Sequence, residues 1–249
     1  MKFLAILFSI LAVTAHATDV EKEKRWADQI VDFLIDGEAV WLEDQGHQFL
    51  GILTESDTDS DKAMIVVHGT GVHPDWEQVI KPIRVEMPYH GWHTLSIQMP
   101  ILANEAEYKD YVEVYPEVPG RFTTAITYLQ ELGMNDIVIV AHSQGATMSA
   151  YYLSRNTHPI KAFVAVGMGA TQKDSHLNSA ESLKSIDIPI LDIYGSEDLE
   201  SVLDTVDSRA QGGAHNGGYI QEVTEGADHF YEGYEDQLIT SIHAWLDQL

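Results

Sequence analysis

DIVIVAHSQGATMSAYYLSR, residues 136–155, decides how this chain is read. Every position from Ile137 to Ala141 is apolar, as in a strand buried on both faces, and the second half is expected to continue as a helix over 144–155. Ser143 stands at the joint. A serine there has two readings: a helix N-cap whose hydroxyl answers the free amides of the first turn, or a nucleophile held on a sharp strand-to-helix turn. The sharp turn needs small residues two places before and two after the serine. Ala141 and Gly145 meet that need, with alanine where the G-x-S-x-G pattern has its first glycine. Gln144 would then open the helix, and its backbone N–H would point at the site along with the positive end of the helix dipole. The choice between the two readings rests on the rest of the chain.

From Lys62 onward the same texture recurs. Short apolar runs occur in AMIVVHG, HTLSIQMP, DIVIVAHS, KAFVAVGMG, IPILDIYGSED and GYIQEVTEG. Helices are expected between and after them, over 75–90, 120–132, 144–155, 175–185, 199–210 and 234–249. Such alternation predicts an α/β fold, a three-layer doubly wound and mostly parallel sheet. Upstream, residues 19–36 place Trp26, Ile30, Phe33 and Leu34 at helical spacing. EAVWLEDQGHQFLGILTES then reads as an N-terminal antiparallel hairpin turning near Gln45-Gly46.

The chain opens with Lys2, an apolar run over 3–13 and the small residues Ala15 and Ala17 around His16. That order is the pattern of a secretory leader cleaved after Ala17, too short to span a bilayer, and no later segment approaches membrane length. An exported protein, periplasmic or secreted, is expected, with residues 18–249 forming a single domain. It has no cysteine, so thiolate catalysis and disulfides are excluded. With 14 Lys and Arg against 39 Asp and Glu, the net charge of −25 repels nucleic acid and anionic lipid and slows an anionic substrate.

Ligands of such sheets sit beyond the carboxyl ends of the strands. Four of those junctions carry chemistry. His68-Gly69-Thr70-Gly71 follows MIVV; its glycines let backbone amides approach a ligand, although a plain tight turn has the same composition. Ser143 follows IVIVA. Asp198 follows the strand of IPILDIYG as a candidate acid, with Glu197 and Asp192 as rivals and a helix cap as its other role. His229, one of 12 histidines, stands in GADHFY ahead of the last helix as a candidate base. A serine hydroxyl needs a base and an acid that orients the base, and nucleophile, acid and base here follow in the order Ser143, Asp198, His229. His142, beside the serine, is expected to turn away from it.

From Lys62 to the C-terminus the stretches VVHGTGVHPDWEQVIKPIR, GWHTLSIQMP, IVAHSQGATM and GADHFY resemble an α/β-hydrolase fold protein, and within that superfamily a leader-bearing bacterial family of poorly characterised function. The resemblance implies Ser143, Asp198 and His229 as a catalytic triad, and the backbone N–H groups of Thr70 and Gln144 as the oxyanion hole. It implies a serine hydrolase of a carboxylic ester or related acyl bond, acting on a small-molecule or lipid-like acyl substrate without a cofactor. Two other outcomes remain open: a peptidase or amidase with the same triad, and a non-catalytic envelope or binding protein on the same scaffold.

Three further stretches call for interpretation. Residues 101–119 form a long irregular insert in which Tyr108, Tyr111 and Tyr115 are candidate substrate-binding residues of a lid; a packed surface loop is the alternative. His68, His73, His90 and His93 fall on different elements without metal-ligand spacing, so no metal is expected. QGGAHNGG, residues 211–218, is expected to be a flexible connection.

Overall fold

The computed structural model describes residues 17–170, 174 and 176–249. The expected leader, apart from Ala17, and Ser175 at the start of one expected helix lie outside the described residues. In chain order the elements are α1 (Val20–Phe33), β1 (Glu38–Asp44), β2 (His47–Thr54), β3 (Lys62–Val67), α2 (Ile80–Glu86), β4 (His93–Ile97), α3 (Val118–Glu131), β5 (Asp136–His142), α4 (Gln144–Arg155), β6 (Ala162–Val166), α5 (Ser179–Leu183), β7 (Ile190–Glu197), α6 (Glu200–Leu203), α7 (Val206–Gly213), β8 (Tyr219–Asp228) and α8 (Glu235–Leu246).

The eight strands form one sheet in the order β1-β2-β4-β3-β5-β6-β7-β8. β2 runs antiparallel to both β1 and β4, and every other pairing is parallel. The fold is therefore the expected α/β sandwich with an antiparallel N-terminal hairpin. In the hairpin Asp44 pairs with His47 across Gln45 (φ 49°) and Gly46 (φ 86°), and two positive φ values make the turn whose twist suits flanking strands.

Alternate residues of the central strands feed two cores, because successive side chains leave a strand on opposite faces. Ile65, Val67, Ile137, Ile139 and Phe163 meet Phe122, Ile126 and Leu129 of α3 and Ala146 and Ala150 of α4. Met64, Val66, Val138, Val140 and Ile193 meet Ile80 and Ile83 of α2 and Leu238, Ile242 and Trp245 of α8. On the hairpin, Leu50 and Ile52 are covered by Ala27 and Ile30 of α1.

The chain leaves β3 for β4 on one side and later returns to β5 on the other, so the crevice between β3 and β5 is the topological switch point. Val67 and Ala141 are paired at its lip. The HGTG turn and Ser143 thereby start from neighbouring strands.

Four expectations are corrected. The helix expected over 75–90 is confined to α2 and a 3₁₀ turn over Met87–His90. Val79 (φ 61°, ψ −56°) closes a γ-turn in which Ile80 N–H donates to Gln78 O at 2.6 Å, a conformation no helix contains. The helix expected over 199–210 breaks into α6 and α7, where the Thr205 hydroxyl hydrogen-bonds the carbonyls of Ser201 and Val202. Residues 211–213 are not a flexible connection but the end of α7, where the Gly212 backbone lies against that of Ala180. The insert is irregular only over 101–107: Tyr108–Glu117 is a 3₁₀ helix, opened by a capping box between Glu107 and Asp110.

Candidate functional site

Ser143 sits at the end of β5 with φ 56° and ψ −123°, a left-handed conformation that costs a non-glycine residue on the order of 1–3 kcal/mol. Two close approaches hold it there. A Cβ on Gly145 would stand 2.3 Å from the His68 carbonyl oxygen, and one on Gly69 would stand 2.9 Å from the Ser143 Cβ. The Ser143 N–H donates to Val166 O at 2.8 Å, and its hydroxyl makes no cap bond to α4. The hydroxyl turns instead to His229, whose Nε2 lies 3.0 Å from Ser143 Oγ.

The β8 exit carries His229 and the β7 exit carries Asp198, and His229 Nδ1 lies 2.6 Å from Asp198 Oδ1. Both residues are buried. Asp198 Oδ1 also accepts the Leu199 N–H at 2.7 Å, so the carboxylate is anchored to its own loop. His142 does lie beside Ser143 without bonding it: its Nε2 donates to the His229 carbonyl at 2.9 Å. Burial pushes the His142 imidazole down to about 3, so it is neutral near pH 7 and braces the loop that carries His229.

The HGTG turn is fixed by His68. Its Nε2 accepts the Met99 N–H at 2.9 Å, which leaves the ring proton on Nδ1, 2.9 Å from the Gly69 carbonyl. Burial holds this ring neutral too, at about 3. Since C=O and N–H of a trans peptide point in opposite directions, the Thr70 N–H faces away from the ring. The Thr70 hydroxyl donates to Gln144 Oε1 at 2.7 Å, tying the turn to the first residue of α4.

Gly69, Thr70, His142, Ser143, Gln144 and His229 line a cavity of about 460 Å³. Its walls include Val72, Trp76, Leu199, Val202 and Phe230, and no Asp, Glu, Lys or Arg is among the described residues that line it. Sequence reasoning missed most of these walls. Leu199 and Phe230 adjoin Asp198 and His229, and Val72 lies two places past Thr70; that adjacency was the available signal.

Of the three tyrosines, Tyr108 lines the cavity, with its hydroxyl 3.4 Å from Thr147 Oγ1. Tyr111 and Tyr115 do not line it. The Tyr111 hydroxyl accepts the Leu102 N–H at 3.4 Å, and Tyr115 is fully buried against the rings of Tyr151 and His176. Tyr111, Val114 and Tyr115 join the core, and Tyr108, at the start of the 3₁₀ helix, packs against its edge. The other histidines of that group serve elsewhere: His73 packs edge-on to Trp26 and Trp76, His90 lies tilted against His243, and His93 Nδ1 accepts the Ser56 N–H at 3.1 Å.

The fold is shared with solved structures of low identity. Est1E from Butyrivibrio proteoclasticus superposes with a TM-score of 0.68 at 14% identity, covering 84% of this chain and 98% of its own. A putative dienelactone hydrolase from Klebsiella pneumoniae subsp. pneumoniae gives 0.70 at 17%, covering 85% and 98%. An esterase from Pyrococcus furiosus gives 0.68 at 17%, covering 88% and 93%. No curated protein matches the sequence. The family described as Protein of unknown function (DUF3530) matches residues 3–118 and 103–248, and the chain, an α/β-hydrolase fold, belongs to that family.

Proposed function

We propose that the protein is an exported serine hydrolase that cleaves a carboxylic ester or a related acyl bond. The observation that carries this reading is the chain of contacts from Ser143 Oγ to His229 Nε2 at 3.0 Å and from His229 Nδ1 to Asp198 Oδ1 at 2.6 Å. His229 Nε2 takes the hydroxyl proton as Ser143 Oγ attacks the acyl carbon, and Asp198 stabilises the imidazolium that results. The N–H groups of Thr70 and Gln144 receive the oxyanion. His229 returns the proton to the leaving alkoxide. Water then attacks the acyl-enzyme, yields its proton to Nε2, and Ser143 leaves with that proton. The names of the structural neighbours, an esterase and a putative dienelactone hydrolase among them, are in keeping with acyl chemistry. The uncharged cavity wall suits a neutral acyl group. The leader pattern over 1–17 supports export to the periplasm or beyond.

A fluorophosphonate probe is expected to label the protein covalently and to leave Ser143→Ala unlabelled. Absence of labelling in the unaltered protein, or equal labelling of both, overturns the proposal.

Within this reading, the segment 101–119 is a wall or lid through Tyr108. Tyr108→Ala is expected to raise KM for a p-nitrophenyl ester about tenfold, roughly 1.4 kcal/mol of binding, with kcat little changed. An unaltered KM removes Tyr108 from the substrate site.

A further inference from the structure

The start of the described chain is tied to both ends of the segment that carries Tyr108. At the near end, Thr18 Oγ1 accepts the Ile101 N–H at 2.9 Å, Asp19 N–H donates to Ile101 O at 2.7 Å, and Lys22 Nζ donates to Leu102 O at 2.7 Å. At the far end, the N–H groups of Ala17 and Thr18 both donate to Glu117 Oε1, at 2.6 and 3.1 Å. Thr18 is only 5% exposed, whereas Ala17 is exposed. The Thr18 hydroxyl also lies 2.7 Å from Glu23 Oε1, and Glu23 is itself held by Arg121 at 2.9 Å and His47 at 2.8 Å. Thr18 is thus the first buried residue among the described ones. It is also the residue that follows the A-x-A pattern of Ala15 and Ala17.

We propose that the Ala17–Thr18 bond is a processing site, and that the Thr18 ammonium it releases pairs with Glu117, fastening the segment 101–119 at both ends. A leader peptidase uses one water molecule for the cut. The water oxygen joins the Ala17 carbonyl carbon, which departs as a carboxylate with the leader. The Thr18 nitrogen keeps the electron pair of the broken bond and takes up protons to become an ammonium. Three ammonium protons then replace the two amide N–H groups that faced Glu117 Oε1. Glu117 Oε1, 3.1 Å from the Thr18 nitrogen, is the carboxylate oxygen that meets the new charge. The amide bonds already reach an ionised acceptor; the ammonium adds the opposite charge at that nitrogen, so a hydrogen bond becomes an ion pair. Burial of Thr18 further requires the cut to precede folding of this region.

The inference rests on the leader reading and not on the triad, so probe labelling at Ser143 and the results below succeed or fail separately. The full precursor is expressed in an exporting bacterial host, and the intact mass of the exported protein is expected to place its first residue at Thr18. The processed chain is then compared in thermal melts with a form that keeps Ala17 behind a Ser-Gly-Ser-Gly extension, each with and without Glu117→Gln. The processed chain is expected to melt about 2–4 °C higher than the extended one, and Glu117→Gln to erase that difference. A first residue other than Thr18, equal melting of the two forms, or an equal effect of Glu117→Gln in both overturns the proposal.

Discussion

Asp198→Asn is expected to lower kcat for a p-nitrophenyl ester by about 10⁴-fold while leaving the melting temperature close to that of the unaltered protein. The reason lies in one hydrogen bond. Asp198 Oδ1 takes the proton of His229 Nδ1 at 2.6 Å, which leaves Nε2 with a lone pair toward Ser143 Oγ, 3.0 Å away. An asparagine oxygen at that position still accepts the Leu199 N–H, donated at 2.7 Å, so the loop and the fold are spared. The negative charge is gone, and the imidazolium that forms as His229 takes the Ser143 proton loses the carboxylate that stabilises it. If Asp198→Asn retained most of its kcat and Asp192→Asn lost it, Asp192 would be the acid after all.

Asp192, the rival within the strand, has a different task, and its loss is expected to show in stability. It is fully buried on β7, and its Oδ2 accepts Arg209 Nε at 2.7 Å, the Tyr219 hydroxyl at 2.6 Å and Gln221 Nε2 at 3.1 Å. Arg209, equally buried, reaches on from α7 to the Val202 carbonyl and the Thr205 hydroxyl, both at 2.8 Å. Arg209→Met leaves the Asp192 carboxylate buried without its guanidinium. The expected cost is about 3–5 kcal/mol, a fall in Tm of roughly 6–20 °C for a chain of this size. Replacing both, with Asp192→Leu and Arg209→Met, is expected to recover much of the loss, because no unpaired charge then remains inside. A thermal melt in which the double variant is worse than Arg209→Met alone refutes that account.

The strands were readable because each central one is apolar at nearly every position, a pattern set by burial on both faces. The hairpin turn was readable because Gln45-Gly46 supplies the left-handed pair its short loop needs. What the sequence concealed was local geometry imposed by distant partners. No neighbouring residue announces the γ-turn at Val79, a β-branched residue in a conformation it avoids alone. Gly212 looked like loop composition because its close contact, Ala180, lies on another helix. Among the candidate site residues, Ser143, Asp198 and His229 were legible as strand-end residues in one order. The three tyrosines were not separable, since only the packing of Tyr108–Glu117 decides which face meets the core. In the sequence His68 stands in a glycine turn and among histidines without metal-ligand spacing, and neither setting shows its task. Its support of the Gly69 carbonyl depends on Met99, which lies past the end of another strand.

The placement of β8 has a consequence for when the serine first meets its histidine. β8 is the last strand made and pairs with β7 at the rim of the sheet, and His229 follows it at once. A chain folded around β3 and β5 with β8 still undocked holds Ser143 on its turn with no imidazole beside it. The hydroxyl therefore waits for the rim strand, and the contact forms only once β8 has paired with β7.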